Sequence, residues 1–482
     1  MCSFKENLQL TKKEHKKMKH KDGMKSQHVG QVKIRFTNKP ITAWGGICTL
    51  VGKYLEEIDF RCWIEKHVPI EEISPNGKGV YEKVLGQFLT CLTGGYRFSH
   101  MQWWGHGVEA IKKCFGVEWL PKAPSSLTRF WGKIKHQGLS DKLSKGAREL
   151  SSSLIEKEGI KEDNLNLDSS VCVRYGQQDG SKRGYNPKKR GRPSHHPLIA
   201  FTGSGYVVNL WNRSGNTSSS HQVVSFCEQT VKSLPKDFKI RRTLADSGFY
   251  NIGFIEYLER QERHYIIAAP ISRILQKEIL RLREWETIEK GIEVSEFYFE
   301  HCDEKWTKAR RYVVVRQQIE ERPKATGKQL YLLKEFEEIK SYRYSLMITN
   351  DEEIKPVEIW REYRTRAKDE NVIKDMKEGY GMASFNMENF WATEALMVMN
   401  ALVFYNLILF LNRNILNRSR VLEQMKTLRM KYFILPAQLG SCGGTAVLRI
   451  GVQDKSLRGK IRYWLNRISD FSFSLNCIAV ET

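Results

Sequence analysis

Between residues 164 and 268, apolar positions fall into short runs separated by turn formers. Leu165, Leu167, Val171 and Val173 alternate with other residues, which predicts a strand with Asp168 on its opposite face. Residues 197–202 and 206–211 are two more strand-like runs around the turn Gly203-Ser204-Gly205. Residues 217–234 have helical spacing, with Val223, Val224, Cys227 and Val231 on one side. A fourth strand is expected over 240–245, with Asp246 at its end, then a short helix over 252–260 and a fifth strand over 264–268.

The flanking regions follow other patterns. Residues 41–160 read as helical, with apolar spacing around Leu50-Val51-Tyr54-Leu55 and Val84-Leu85-Phe88-Leu89. Ser125-Ser126-Leu127 resembles a capped helix start. Residues 271–340 break the pattern with a charged segment and alternating runs, so an inserted β-rich subdomain is expected. Residues 344–349 then form a strand, Asn350-Asp351 start a helix, and a second long helix spans 387–411. The last run is apolar but carries Asn400 and Asn406, which suits a buried helix better than a membrane span.

Residues 360–377 contain no Pro or Gly and are predicted as one helix. With Arg366 at zero on a wheel of about 100° per residue, Lys377, Glu370 and Tyr363 fall within roughly 60° of it. Ile354, Val357, Val372 and Met376 lie on the other side, towards the core. A carboxylate, a guanidinium, an ammonium and a phenol thus share a stripe. A solvated face with an Arg366–Glu370 ion pair is the plain alternative.

Composition narrows the partner. The chain has 482 residues, 41% hydrophobic and 11% aromatic, enough for a real core. A net charge of +23 favours a polyanion. Residues 1–40 hold basic clusters with no apolar stretch behind them and read as a flexible arm; residues 412–482 form a basic C-terminal region. The cysteines form no C-x-x-C pair, as expected of reduced thiols in a cytoplasmic protein.

Asp168, Asp246 and Glu370 are the candidate chemistry. The order of strands and helices that carries them is close to that of a ribonuclease-H-like domain, in which the first and fourth strands lie side by side and the late helix crosses them. Three clustered carboxylates raise one another's pKa values, and a divalent cation removes that penalty. Oxygen-only ligands suit Mg²⁺ or Mn²⁺, and two such ions support in-line displacement at a phosphodiester. The loop Gly184-Tyr185-Asn186-Pro187-Lys188-Lys189-Arg190-Gly191-Arg192-Pro193-Ser194 is densely basic and suits phosphate contact. His195 and His196 lack companion ligands at metal spacing.

The Tyr363, Arg366, Glu370, Lys377 spacing resembles the Y-R-E-K signature of DDE transposases from bacterial insertion sequences, and the loop resembles a hallmark of one branch of that superfamily. Leu-Asp at 167–168 and Ala245-Asp246-Ser247-Gly248-Phe249-Tyr250 fit the first two acids of the triad. The resemblance implies an α/β, ribonuclease-H-like catalytic domain with a mixed five-stranded sheet, formed by residues 161–270 and 341–411 and interrupted by the insertion at 271–340. It implies a helical, DNA-binding N-terminal domain over 41–160. By the same resemblance Asp168, Asp246 and Glu370 bind two Mg²⁺ or Mn²⁺ ions. Tyr363, Arg366 and Lys377 hold DNA phosphate, joined by Lys188, Lys189, Arg190 and Arg192 of the loop. The implied partner is double-stranded DNA, transposon ends and target, bridged by a homodimer in the bacterial cytoplasm at the nucleoid. Another ribonuclease-H-like endonuclease and a non-catalytic DNA-binding derivative remain open alternatives. Ala367 stands where relatives often have a Trp that serves hairpin formation.

Overall fold

The computed structural model describes residues 28–72, 77, 79–105, 107–186, 189–302, 306–319, 342–417, 423–471, 473 and 475. The described residues fall into two compact units, divided between Pro40 and Ile41. In the first, His28–Val29 pairs antiparallel with Val32–Lys33.

The second unit is mixed α/β. Its helices include α1 (Val80–Leu92) and α2 (Gln137–Glu158) before the sheet, and α3 (Val223–Lys232) and α4 (Ile252–Arg260) among its strands. After the sheet come α5 (Pro356–Thr365), α6 (Ala367–Glu378), α7 (Phe390–Leu416) and α8 (Lys455–Ser469). One helix upstream begins at Pro124 with Ala123 as its cap, not at Ser125; proline fits the first helical position because its missing N–H has no partner there anyway.

Nine strands form the main sheet: β1 (Glu162–Ser169), β2 (Leu198–Thr202), β3 (Val207–Trp211), β4 (Lys239–Ala245), β5 (Tyr265–Ala268), β6 (Glu286–Glu289), β7 (Ile292–Phe299), β8 (Arg310–Gln318) and β9 (Tyr342–Thr349). Their spatial order is β6-β7-β8-β9-β5-β4-β1-β2-β3. The β1–β4 and β4–β5 pairs are parallel and the other pairs antiparallel. The insertion strands β6–β8 do not stand apart as a subdomain. They continue the sheet through β9, which pairs with β8 on one side and β5 on the other.

The first strand stops at Ser169, and Val173 belongs elsewhere. Cys172–Val173, Pro193–His195 and Lys182–Arg183 make a separate three-stranded sheet. Strand β1 alternates Leu165 and Leu167 towards the large core with Asn164, Asn166 and Asp168 on the other face. That second face carries a smaller apolar cluster in which Leu244, Ile266, Val313 and Met347 meet Ile359 and Trp360 of α5. Trp360 is therefore a core residue, with Arg364 over its ring at 4.6 Å.

Helix α7 is long and apolar enough to cross a membrane, yet its apolar stretch is wholly buried inside the protein. It begins at Phe390 because the Asn389 side chain accepts from Trp391 N and Ala392 N. Several of its polar residues reach neighbours. Asn400 accepts from Gln87 of α1 at 2.8 Å, and Glu394 accepts from Ser140 of α2 and from the Asn212 backbone, each at 2.8 Å. Asn406 pairs both backbone groups of Val207 and donates to Ser151. Residues 41–160 thus share one core with α7, and Phe88 stacks on Phe404 at 4.3 Å.

At the C-terminal end, Ala437–Cys442 and Thr445–Ile450 form a hairpin whose turn, Gly443-Gly444, has positive φ at both residues. Ile41–Thr42 adds a third strand.

Candidate active site

Asp168 and Asp246 end neighbouring parallel strands. Leu167 is paired with Ala245, so the two aspartates that follow stand level, one strand spacing apart. Asp246 caps the short turn Ser247–Phe249, accepting from Gly248 N at 2.8 Å through Oδ1. Asp168 Oδ1 accepts from Ser169 N at 2.7 Å.

Helices α5 and α6 cross the polar face of β1, where Asn164, Asn166 and Asp168 each meet them. Asn164 Nδ2 donates to Glu362 Oε1 at 2.5 Å. Asn166 Nδ2 donates to Asp369 Oδ1 at 2.9 Å. Asp168 Oδ2 lies 2.9 Å from Arg366 Nη2, an ion pair without hydrogen-bond alignment.

The expected single helix over 360–377 is two. The chain turns at Arg366, where Arg366 N bonds Tyr363 O at 3.1 Å and Asp369 N bonds Arg366 O at 2.9 Å. Thr365 Oγ1 donates back to the Glu362 carbonyl at 2.7 Å, competing with the regular ladder just before the break. The helix also begins later than expected, at Pro356. Asp351 is buried, takes Arg242 Nε at 2.7 Å and accepts from Glu353 N at 3.2 Å, while the helix starts with Pro356 at its first position and Glu358 reaching back to Lys355 N at 3.3 Å.

The break separates the members of the stripe. Arg366 turns to Asp168, with Asp369 Oδ2 a more distant 3.8 Å from its Nε. Lys377 Nζ donates to the Val171 carbonyl at 3.0 Å, tying α6 to the segment after β1. Tyr363 is largely covered, and Glu370 is exposed. No Arg366–Glu370 ion pair forms among the described residues.

The electrostatics link Asp168, Asp246, Tyr363, Arg366, Asp369 and Glu370. Burial pushes the Asp168 carboxyl up to about 6; Arg366 opposes the rise, while Asp246 and Glu370 add to it. Burial works against the Arg366 charge, but Asp168, Tyr363 and Asp246 outweigh it and hold the guanidinium above its ordinary value. Asp369 is pushed up to about 8, chiefly by burial. Burial also raises the Tyr363 phenol, against Arg366 and with Asp246 and Asp168.

An oxygen-only donor set of Asp168, Asp246 and Glu370 suits a hard divalent cation in kind, and mutual repulsion at Asp168 is what such an ion relieves. In this arrangement, among the described residues, no three acid, His or Cys side chains lie close enough to hold one ion, and a guanidinium lies against Asp168.

The family described as "Transposase DDE domain group 1" matches residues 122–453. The chain belongs to this transposase family. Among solved structures, the transposase is similar to "Cryo-EM structure of piggyBac transposase synaptic complex with hairpin DNA (SNHP)", with 10% identity, a TM-score of 0.42, and coverage of 80% of this chain and 78% of that one. No curated protein matches it.

Elsewhere in the transposase, the basic loop is braced by its own backbone. Asn186 Oδ1 accepts from Lys189 N at 3.0 Å, and a Cβ on Gly184 would run into the Gly215 carbonyl. Lys189, Arg190 and Arg192 are exposed; Lys188 lies outside the described residues. His195 and His196 serve the fold. His195 Nδ1 accepts from Arg174 Nε at 3.0 Å and its Nε2 meets the Asp179 carbonyl at 2.8 Å, while His196 Nδ1 meets the Thr217 carbonyl at 2.9 Å. Burial lowers both imidazoles, His195 to about 4, so both are neutral near pH 7.

Asn164, Asn166, Glu362 and Asp369 do not stand out from the motifs in the sequence. The alternation that marked Leu165 and Leu167 as core also put two amides and Asp168 on one face, a signal for polar contacts across it.

Proposed function

We propose that this chain is a catalytic DNA transposase that cleaves at transposon ends and transfers the freed 3′-hydroxyl into target DNA, as in cut-and-paste movement of an insertion sequence. The observation carrying this reading is the level placement of Asp168 and Asp246 on parallel neighbours, with the Arg366–Glu370 segment laid across them. The strand order β3-β2-β1-β4-β5, with β1 antiparallel to β2 and parallel to β4, supports a ribonuclease-H-like centre whose sheet the insertion extends. The tyrosine, arginine, glutamate and lysine spacing supports the Y-R-E-K branch.

In this reading Asp168, Asp246 and Glu370 hold Mg²⁺ or Mn²⁺, and Arg366 leaves Asp168 for a DNA phosphate. The ions, when bound, supply activation of the attacking oxygen and stabilisation of the leaving one. Arg366 and Lys377 place the scissile strand, and Tyr363 closes the site beside them. Lys188, Lys189, Arg190 and Arg192 grip the backbone of double-stranded DNA further along. The helices of 41–160 and the basic segments at both ends extend that grip, and a homodimer pairs the two ends in the bacterial cytoplasm.

The test uses purified protein, Mg²⁺ and DNA carrying the segments that flank its gene. Asp168→Ala, Asp246→Ala and Glu370→Ala each abolish cleavage and strand joining while binding persists. Cutting without joining by the wild type would favour a ribonuclease-H-like endonuclease, and full cleavage by any of the three variants would remove that residue from the triad.

A further inference from the structure

Six residues past the end of β1, Tyr175 stands 68% exposed. The Lys189 ammonium lies 5.0 Å and the Arg192 guanidinium 5.7 Å from its ring centroid, and Lys189 also donates to its hydroxyl. Tyr185, in the same loop, is 75% exposed.

The mount beneath Tyr175 is rigid. Val173 pairs with Ser194. Arg174 is buried, donating through Nε to His195 Nδ1 at 3.0 Å and through Nη1 to the Ala383 carbonyl at 2.5 Å. The bond from Lys377 to the Val171 carbonyl ties the same segment to α6. A fixed base thus holds an open aromatic ring beside two cations, on the chain that leaves the carboxylate strand.

A nucleotide needs a ring for its base and positive charge for its phosphate, and both are present here. A cation–π clip whose only task was to pin the loop would have no need of an exposed ring. Bases within a duplex have their faces covered by neighbours, so an open ring takes a base that is out of the stack. We propose that Tyr175, flanked by Lys189 and Arg192, is a stacking platform for an unpaired nucleobase of single-stranded DNA. This rests on the reading of the chain as a DNA-cutting transposase.

The test measures binding of the full chain to a fluorescein-labelled oligothymidine and to a mixed-sequence duplex of equal length. Loss of one stacked base corresponds to about tenfold in affinity. Tyr175→Ala binds oligothymidine about tenfold more weakly, Tyr175→Phe stays within about twofold of wild type, and duplex affinity is the same for all three. Equal oligothymidine affinity for Tyr175→Ala and wild type, or an equal loss on duplex, overturns the platform and leaves the transposase reading standing. Failure of the wild type to bind either DNA overturns both. A second readout needs no destabilising variant: 2-aminopurine within oligothymidine is quenched on binding to wild type, and a bound but unquenched probe overturns the proposal.

Discussion

Arg366 Nη2 sits 2.9 Å from Asp168 Oδ2, although the two residues lie far apart in the chain and on different elements. The pair joins the break between α5 and α6 to the end of β1, and it places a guanidinium against a carboxyl that burial pushes up. Arg366→Ala removes both this countercharge and a proposed phosphate contact. Its DNA affinity falls, and the slope of log affinity against log salt flattens by about one phosphate. Titration of binding over a range of salt concentrations checks this; an unchanged slope removes Arg366 from the phosphate contacts.

Lys377 carries two roles that one variant separates. Its ammonium now holds the Val171 carbonyl at 3.0 Å. Lys377→Ala should flatten the salt slope by about one phosphate and loosen the segment after β1. Hydrogen exchange of the Ser169–Arg174 amides, compared between wild type and variant, reads the second effect. Unchanged exchange would mean the segment is held by other bonds.

Asn406 offers a stability test remote from the site. Its amide satisfies the N–H and the carbonyl of Val207 and donates to Ser151, all inside the core. Asn406→Leu keeps the volume but strands those groups, and each buried unpaired group costs about 1–3 kcal/mol. The urea midpoint should fall sharply, whereas a midpoint within error of wild type would show that the neighbours re-pair.

Glu394 sets a pH dependence whose sign can be worked out. Burial pushes its carboxyl up to about 7, against hydrogen bonds from Ser140 and Asn212 N. The unfolded chain loses this proton near pH 4.5 and the folded chain only near 7. Between those values the folded state binds more protons, so this group's contribution to stability falls as pH rises, by no more than about 3 kcal/mol. Glu394→Gln mimics the neutral form and flattens that fall. Unfolding free energies of both proteins from pH 5 to 8, a window chosen to span about the titration range, check it. Parallel curves for the two proteins would contradict the assignment.

Local pattern made much of the catalytic half legible. The alternation from Leu165 to Leu167, the apolar runs of β2 and β3, and Asp246 at a strand end all follow from short stretches of residues. What could not be read depends on partners distant in the chain. The break at Arg366 rests on the Thr365 back-bond and on Asp168, neither visible in a helical wheel. The buried pair of Arg242 and Asp351 is likewise invisible to local pattern. The union of β6–β8 with the main sheet depends on the register between β9 and β5, which local periodicity does not encode.

Binding of Mn²⁺ to the protein–DNA complex, followed by electron paramagnetic resonance, tests most directly whether Asp168, Asp246 and Glu370 share divalent ions. The wild type should take up tightly bound Mn²⁺ in the presence of DNA, and Asp168→Asn, Asp246→Asn and Glu370→Gln should each lose most of it. Undiminished Mn²⁺ binding in all three variants would contradict the shared site.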